Sequence, residues 1–446
     1  MNHWCVQART LRVEEKIVAD VFTELTWRGL IHQTTDDAGL PGWLAERPRT
    51  VYAGFDPTAD SLHVGHLMAL MILRRFQAAG HRPIALIGGA TGMIGDPSGK
   101  SEERQLLSED TLRANVEGMR AQMRRFLDFD DPRCGAILVN NYDWVGRFGF
   151  LEFLRDVGKH FPVNVMLTKD SVRSRLERTD SGLSYTEFSY MLLQAYDFVH
   201  LRREHDCQLQ VGGSDQWGNI TAGIDLARRL DGVQLYGMTC PLLTKSDGTK
   251  MGKTESGALW LAAERVSPYQ FYQYWINLDD ADVDKCLRFF TDLDRPRLEA
   301  VVAEHLADPS RRSGQRCLAT ELTRLVHGDE GLRVAQRATE IFFGAEIDNL
   351  SDDQLVQIFA DVPSKQLPRE TLAGDGLPII DALCAAGLSA SKAEARRTID
   401  QGGAYVNNRR IDGIDRRLGP GDLASQTVMV LRSGKKRYAL LRFVEE

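Results

Sequence analysis

Two histidines flank a glycine in His63-Val64-Gly65-His66, and far downstream the chain answers with Lys250-Met251-Gly252-Lys253-Thr254. Imidazoles at the mouth of a helix can donate to phosphate and ribose oxygens, where unpaired backbone N–H groups already favour an anion. Two lysines around a glycine suit a mobile clamp that neutralises charge as pyrophosphate leaves. Taken together, the strings describe a device that grips a nucleoside triphosphate and activates a carboxylate with it. Taken singly, each has a plainer reading: a surface cap beside a core histidine, and a solvated basic loop.

The flanking elements tilt that choice. Thr50 to Phe55 (TVYAGF) reads as a short apolar strand, and Asp56 to Ser61 supplies turn chemistry, with Asp60 or Ser61 placed to cap a helix. Leu67, Leu70, Met71, Leu73 and Phe76 follow helical spacing until Gly80, and Pro83 to Ile87 begins a second strand. A strand, a helix and a strand in this order predict a parallel sheet with a right-handed crossover. His63 and His66 then occupy the first helical turn, with Gly65 leaving room for a purine or ribose against the backbone.

Gly88 to Lys100 is a glycine-rich run at the end of that second strand. Gly99-Lys100-Ser101 imitates the end of a Walker A loop, but only three residues separate Gly95 from Gly99 where that motif needs four. No G-x-G-x-x-G is present either. What remains is a turn at a strand's carboxyl end, where open α/β sheets place ligands, with Asp96 as a carboxylate able to hold an ammonium or simply to cap the turn.

Two polar clusters follow. In the helical stretch 185–198, Tyr190, Gln194 and Asp197 fall at i, i+4 and i+7 and share one face. Phenol, amide and carboxylate together can orient a small polar ligand, or form a solvated stripe. Gln208 to Val211 reads as a strand running into Gly212-Gly213-Ser214-Asp215-Gln216, where Asp215 is placed to accept from ribose hydroxyls.

Bulk properties set the frame. At 446 residues, 43% hydrophobic and 26% charged, the chain has room for two or three soluble domains. It has no apolar run of 18 residues, so no membrane partner is expected, and the N-terminal residues lack an apolar signal core. Seven cysteines without C-x-x-C spacing predict reduced thiols, a cytoplasmic location and no metal site. The net charge of −7 is uneven: Leu377 to Glu446 holds 12 basic against 8 acidic residues, leaving −11 elsewhere. That contrast marks the tail as an RNA-facing module, although a solvated basic surface gives the same count. Ser391 to Glu394 reads as a capping box opening a helix that carries Arg396 and Arg397 and stops at Gly402-Gly403, before a strand and Asn407-Asn408-Arg409-Arg410. Helical patterning also fills much of 270–345.

These strings, in this order, resemble the bacterial-type tyrosyl-tRNA synthetases, which are class I aminoacyl-tRNA synthetases. The resemblance runs from about Val13 to the C-terminus and implies an α/β fold. A Rossmann-like parallel-sheet catalytic domain would occupy 1–268, with an insertion near 140–200 that forms a homodimer interface. A helical anticodon-proximal domain (269–347), a linker (348–376) and a small α+β S4-like RNA-binding domain (377–446) would follow. By the same resemblance Tyr52 and Asp197 hydrogen-bond the substrate phenol, and Asp96, Tyr190 and Gln194 hold the amino acid's ammonium. Asp56 and Gln216 complete the tyrosine and adenylate pocket. ATP falls to Thr58, His63, His66, Gly54, Gly65 and Asp215, with mobile basic residues Lys100 and Arg104 and the second signature Lys250, Lys253 and Thr254. RNA contacts fall to Arg396, Arg397, Asn407, Arg409 and Arg410. The wider class usually has serine where Gly252 stands, though glycine is familiar within the tyrosine branch, and residues 1 to about 12 have no clear counterpart.

The implied chemistry has two steps: the tyrosine carboxylate attacks the α-phosphorus of ATP, and the 3′-terminal ribose of tRNA(Tyr) then takes the tyrosyl group. Positioning and charge stabilisation suffice without a protein nucleophile. Mg²⁺ would enter with ATP, with no protein cage for it. Two rivals are a tryptophanyl-type synthetase and a non-catalytic RNA-binding protein on the same scaffold. Tyr52 with Asp197 argues against the first, and the intact histidines and lysines against the second.

Overall fold

The computed structural model describes residues 20–98, 107–169, 172–173, 176, 182–254, 257–348, 350–360 and 362–445. The chain divides into two compact units. One runs to Leu261 and takes in Ala281–Ala300; the other comprises Ala262–Asp280 and Val301–Glu446.

The first unit is built on a six-stranded sheet in the order β1-β6-β5-β2-β3-β4, from Gln33–Thr34 (β1), Thr50–Phe55 (β2), Arg82–Ile87 (β3), Ile137–Asn140 (β4), Cys207–Gly213 (β5) and Tyr236–Cys240 (β6). All pairs are parallel except β1 with β6. β2 and β3 read as near-continuous apolar runs because helices cover both faces, as parallel sheets require. The chain builds outward from β2 through β3 to β4, then returns to lay β5 on the other side of β2. That reversal opens a crevice beyond the carboxyl ends of β2 and β5, the place where open α/β sheets bind ligands.

The helix after β2 spans Val64–Ala78 and is buried on nearly all sides. Its cap is His63 itself, whose side chain accepts from the Gly65 N–H; neither Asp60 nor Ser61 takes that role. An imidazole nitrogen does what a carboxylate or hydroxyl usually does at this position.

A buried arginine on the same helix grips a distant element. The Arg75 guanidinium donates to Met71 O, Arg288 O and Thr291 O, and burial lowers its pKa to about 9. Arg28 donates to the carbonyls of Arg288, Thr291 and Leu293. Between them they bond one carbonyl of the last turn of the Asp280–Phe290 helix, Arg288 O, and two in the segment just after it, Thr291 O and Leu293 O.

In the second unit, the Pro268–Ile276 helix packs on the Ser313–Phe342 segment, two helices that meet at a kink where Gly328 has a φ of 74°. A five-stranded sheet follows, in the spatial order Arg409–Arg410, Ala404–Val406, Val428–Ser433, Arg437–Val444 and Ser364–Pro368. Asn407 and Asn408 join its first hairpin with φ of 48° and 63°, the left-handed pair a two-residue hairpin turn demands. The Lys392–Asp400 helix is capped by Ser391 as expected, but Glu394 reaches the N–H of Ala390 instead of closing the box on Ser391.

Replacing Arg28 by Met removes the donor to Leu293 O and leaves Arg75 alone on the other two carbonyls. Chemical denaturation should show a loss of roughly 2–4 kcal/mol.

Candidate active site

The deepest polar groups lie under the crevice. Tyr52, in the middle of β2, is fully buried, stands edge-on to Phe198 at 5.2 Å, and its hydroxyl has no hydrogen-bond partner among the described residues. Burial, and then the charge of Asp197, push its pKa well above that of an ordinary phenol. Asp197 comes from the Tyr185–His205 helix and is also buried. Its two oxygens accept from Asn141 Nδ2 at 2.9 Å and Trp144 Nε1 at 2.8 Å. Desolvation raises its pKa to about 7 against the pull of those two donors. Asn141 is itself fixed, accepting from the Ala90 N–H at 2.7 Å and donating to Thr91 Oγ1 at 3.1 Å. Gln210, paired in register with Tyr52 across β2 and β5, is buried with its amide oxygen unpartnered among the described residues.

Above this floor the polar side chains form two groups. Tyr190 donates to Asp56 Oδ2 at 3.0 Å while Thr91 donates to Asp56 Oδ1 at 2.8 Å. Asp96 accepts from Gln216 Nε2 at 2.7 Å and from the Ser98 N–H at 2.9 Å, so it both closes its own turn and faces the site. Gln216 passes the chain on: its Oε1 accepts from Gln194 at 3.2 Å, and Asn219 donates to Gln194 Oε1 at 3.0 Å. Tyr190 therefore stands with Asp56, while Gln194 and Asp96 are linked through Gln216. The negative charge of both Asp56 and Asp96 nevertheless reaches the Tyr190 phenol, whose pKa burial and these neighbours raise. A set of acceptors this dense suits an ammonium.

At the helix mouth, the His63 and His66 rings stack 3.8 Å apart. His63 Nδ1 accepts from the Gly65 N–H at 3.0 Å, and His66 Nδ1 accepts from the His63 N–H at 3.2 Å. Neutral imidazoles with Nδ1 accepting carry their proton on Nε2, so both rings become N–H donors. Burial lowers the pKa of His63, which keeps it neutral. A Cβ on Gly65 would come within 2.8 Å of the His63 ring, so glycine here protects the cap itself. Thr58 sits in the turn that follows Asp56, and Gly54 leaves the end of β2 exposed.

The lysine string closes onto this mouth through backbone. Gly252 O accepts from the Leu259 N–H at 2.7 Å, and Leu259 O accepts from the N–H of Val64 at 3.0 Å. Leu261 N–H bonds Leu62 O at 2.8 Å. Lys253–Thr254 pairs as a short hairpin with Gly257–Ala258. Lys250 and Lys253 are exposed on either side of buried Met251. Asp215 has its pKa raised by burial and by Asp96, while Lys250 opposes the shift, so the loop's charge is felt across the crevice. Lys100 and Arg104 lie outside the described residues. In the other unit, Arg396 and Arg397 are exposed, Arg409 pairs with Glu346 at 2.9 Å and Arg410 lies 3.6 Å from Asp412. The Asn407 amide is engaged at both ends, donating to Asp422 O and accepting from the Val430 N–H, so it serves the hairpin.

Sequence reasoning passed over Asn141, Trp144, Thr91, Asn219 and Gln210. The one available signal was the Asn140-Asn141 pair ending a strand, a polar stop at the edge where ligands bind.

A parallel sheet with a ligand crevice at its reversal, imidazole donors at a helix mouth and a lysine hairpin facing them define a nucleotide-binding α/β enzyme domain. Residues 44–344 match the profile of tRNA synthetases class I (W and Y), and 354–441 match that of the tyrosine–tRNA ligase SYY-like C-terminal domain. The chain belongs to the class I tRNA synthetases, in their tyrosine–tRNA ligase branch. The tyrosine–tRNA ligase of Rhodopirellula baltica is 59% identical, covering 94% of this chain and 95% of that relative. That of Geobacillus stearothermophilus is 50% identical over 95% of this chain and 100% of its own length. Among solved structures, a C-terminally truncated Aspergillus nidulans mitochondrial tyrosyl-tRNA synthetase superposes with a TM-score of 0.66 at 32% identity, over 73% of this chain and 94% of that one. A tryptophanyl-tRNA synthetase from Encephalitozoon cuniculi, at 15% identity and a TM-score of 0.51, shares the fold.

The raised pKa of Asp197 makes stability depend on pH. The folded state holds a proton that the unfolded chain releases, so this contribution is full below about pH 4 and is lost as pH rises through 7. Denaturation between pH 5 and 7 should lose stability at up to roughly 1.4 kcal/mol per unit from this group, and Asp197→Asn should flatten that slope.

Proposed function

We propose that the chain is a tyrosine–tRNA ligase that joins L-tyrosine to ATP, releasing pyrophosphate, and passes the tyrosyl group to the 3′ end of tRNA(Tyr). The observation that carries the residue assignment is the buried Tyr52 hydroxyl, without a partner among the described residues, beside a carboxylate already held by two N–H donors. A substrate phenol gives Tyr52 a partner and Asp197 a third donor: its O–H donates to Asp197 and its oxygen accepts from Tyr52. Phenylalanine would leave the Tyr52 hydroxyl buried without a partner and give Asp197 no further donor, a route to selectivity for which tyrosyl enzymes are themselves the standard example. Tryptophan offers no hydroxyl for the pair.

With the phenol seated there, the ammonium falls to Asp96, Tyr190 and Gln194, and Asp56 and Gln216 complete the amino-acid and adenylate pocket. The carboxylate then faces the crevice mouth. His63 and His66 donate through Nε2 to ATP phosphate oxygens, Thr58 and the exposed Gly54 edge border the nucleotide, and Asp215 takes the ribose hydroxyls. Mg²⁺ arrives as part of the ATP substrate. As the bond to the leaving pyrophosphate breaks, Lys250, Lys253 and Thr254, with Lys100 and Arg104, meet the growing charge on its oxygens. Catalysis is then stabilisation of the transition state by donors that gain strength as charge develops.

We assign catalysis to 1–268, a helical anticodon-proximal domain to 269–347, a linker to 348–376 and an S4-like RNA-binding domain to 377–446. The exposed Arg396 and Arg397, with Arg409 and Arg410, supply phosphate contacts there. A homodimer in the cytoplasm completes the reading. Its interface lies near 140–200, where Phe150, Leu151, Val163, Val165 and Leu167 are exposed apolar side chains.

Amino-acid-dependent ATP–pyrophosphate exchange, run with each of the twenty amino acids and no tRNA, tests the central claim. Exchange with tyrosine alone is expected; exchange with tryptophan would overturn the specificity, and none at all the enzymatic reading. His66→Ala should slow exchange while leaving tyrosine affinity nearly unchanged, whereas Asp197→Ala should weaken tyrosine binding by at least about tenfold. Phe150→Asp with Leu151→Asp should give a monomer in sedimentation, and an unchanged dimer would remove this surface from the interface. Arg396→Ala with Arg397→Ala should weaken tRNA binding and lower its salt slope by about 1–2, with exchange unaffected.

A further inference from the structure

The lysine loop has a root as well as a tip, and the root is held by side chains from another element. Lys285, on the Asp280–Phe290 helix, donates to the Thr244 carbonyl at 2.5 Å, just before Lys245 opens the loop. The same ammonium lies 3.1 Å from Asp282 Oδ1, a carboxylate with no exposed surface. Ser246, the second residue of the loop, donates to Asp282 Oδ2 at 3.4 Å. One turn on, the Cys286 thiol touches the sulfur of Met251, the buried residue between the two signature lysines, at 3.6 Å. The far end of this helix is gripped by Arg75 through Arg288 O and Thr291 O, and Arg75 projects from the helix whose first turn holds His63 and His66. The Asp280–Phe290 helix thus works as a strut with one end on the histidine helix and the other on the root of the lysine loop.

A buried carboxylate is costly unless it is paired, and removing its partner leaves that cost uncompensated. Here Asp282 is spent on a lysine that bonds a loop carbonyl and on a loop hydroxyl, not on the core. We propose that Asp282 and Lys285 are a positioning pair that fixes the root of the Lys250–Thr254 loop relative to the His63–His66 turn. The tip can then swing onto departing pyrophosphate from a constant base. This rests on the ligase reading for its consequence, but the geometry of the anchor does not depend on it.

The test uses the full chain with Lys285→Met, Asp282→Asn, Lys285→Arg and Ser246→Ala. Limited trypsin digestion, followed by mass spectrometry of cuts after Lys245, Lys250 and Lys253, reads the anchor without reference to activity. Cleavage after these lysines is expected to be about tenfold faster in Lys285→Met and Asp282→Asn, more than any fall in global unfolding stability of the two variants accounts for. Ser246→Ala should give a smaller increase and Lys285→Arg should restore protection. In pyrophosphate exchange the first two variants should lose about tenfold in kcat with the KM for tyrosine unchanged. Should Asp282→Asn not fold, the partly exposed Lys285 provides the variant that decides. Wild-type cleavage and kcat in Lys285→Met would overturn the proposal. So would a parallel loss of stability, kcat and tyrosine affinity, which marks a merely structural pair. Altered cleavage alongside a wild-type protein that exchanges with no amino acid would sink the ligase reading and leave the anchor standing.

Discussion

The site depends on keeping a carboxylate dry. Asp197 is buried beneath the sheet's reversal point, where desolvation alone would protonate it, and two N–H donors hold it near the balance between its charged and neutral forms. Those donors come from residues immediately after β4, the outermost strand, so the edge of the sheet is built to serve its centre. Asn141 is locked by Ala90 and Thr91, and Thr91 in turn bonds Asp56. One hydrogen-bonded chain therefore runs from the floor of the pocket to the turn after β2. A substitution in it would misalign several groups at once, because each member's geometry is set by the next.

The second constraint is backbone. The histidine turn and the lysine hairpin lie far apart in sequence, yet are joined through Leu259 by two successive main-chain hydrogen bonds: the Leu259 N–H donates to Gly252 O and the Val64 N–H donates to Leu259 O. Side chains can then carry charge while the main chain carries position. The stacked imidazoles follow the same economy: accepting backbone N–H groups at Nδ1 both caps the helix and decides which nitrogen faces outward.

Much of this was legible in the sequence. The strand 50–55, the helix ending before Gly80 and the parallel sheet follow from apolar periodicity, and the placing of Tyr190, Gln194 and Asp197 on one helix from helical spacing. Capping by His63 was not legible, because a turn rich in Asp and Ser offered more conventional caps nearby. Asn141, Trp144 and the Arg75 grip were hidden for another reason. Their partners across the fold lie 50 to 216 residues away, and no local pattern encodes a hydrogen bond across that span. The asymmetry is general: periodicity shows which face of an element is buried, and leaves open what that face touches.

Gly252 shows how the two constraints meet. Its φ of +81° is one that an L side chain adopts only with strain, and a Cβ there would lie 3.3 Å from the Cβ of Val64, the first residue of the histidine helix. A serine at this position would have to shift either the loop or the helix start. Glycine lets the main chain turn tightly enough for Gly252 O to reach Leu259, and Leu259 to reach Val64. The same turn sends Lys250 and Lys253 out to solvent on either side of a methionine that stays buried. A single backbone torsion thus sets both the tie to the histidines and the outward aim of the lysines, so loop shape and charge placement cannot vary independently.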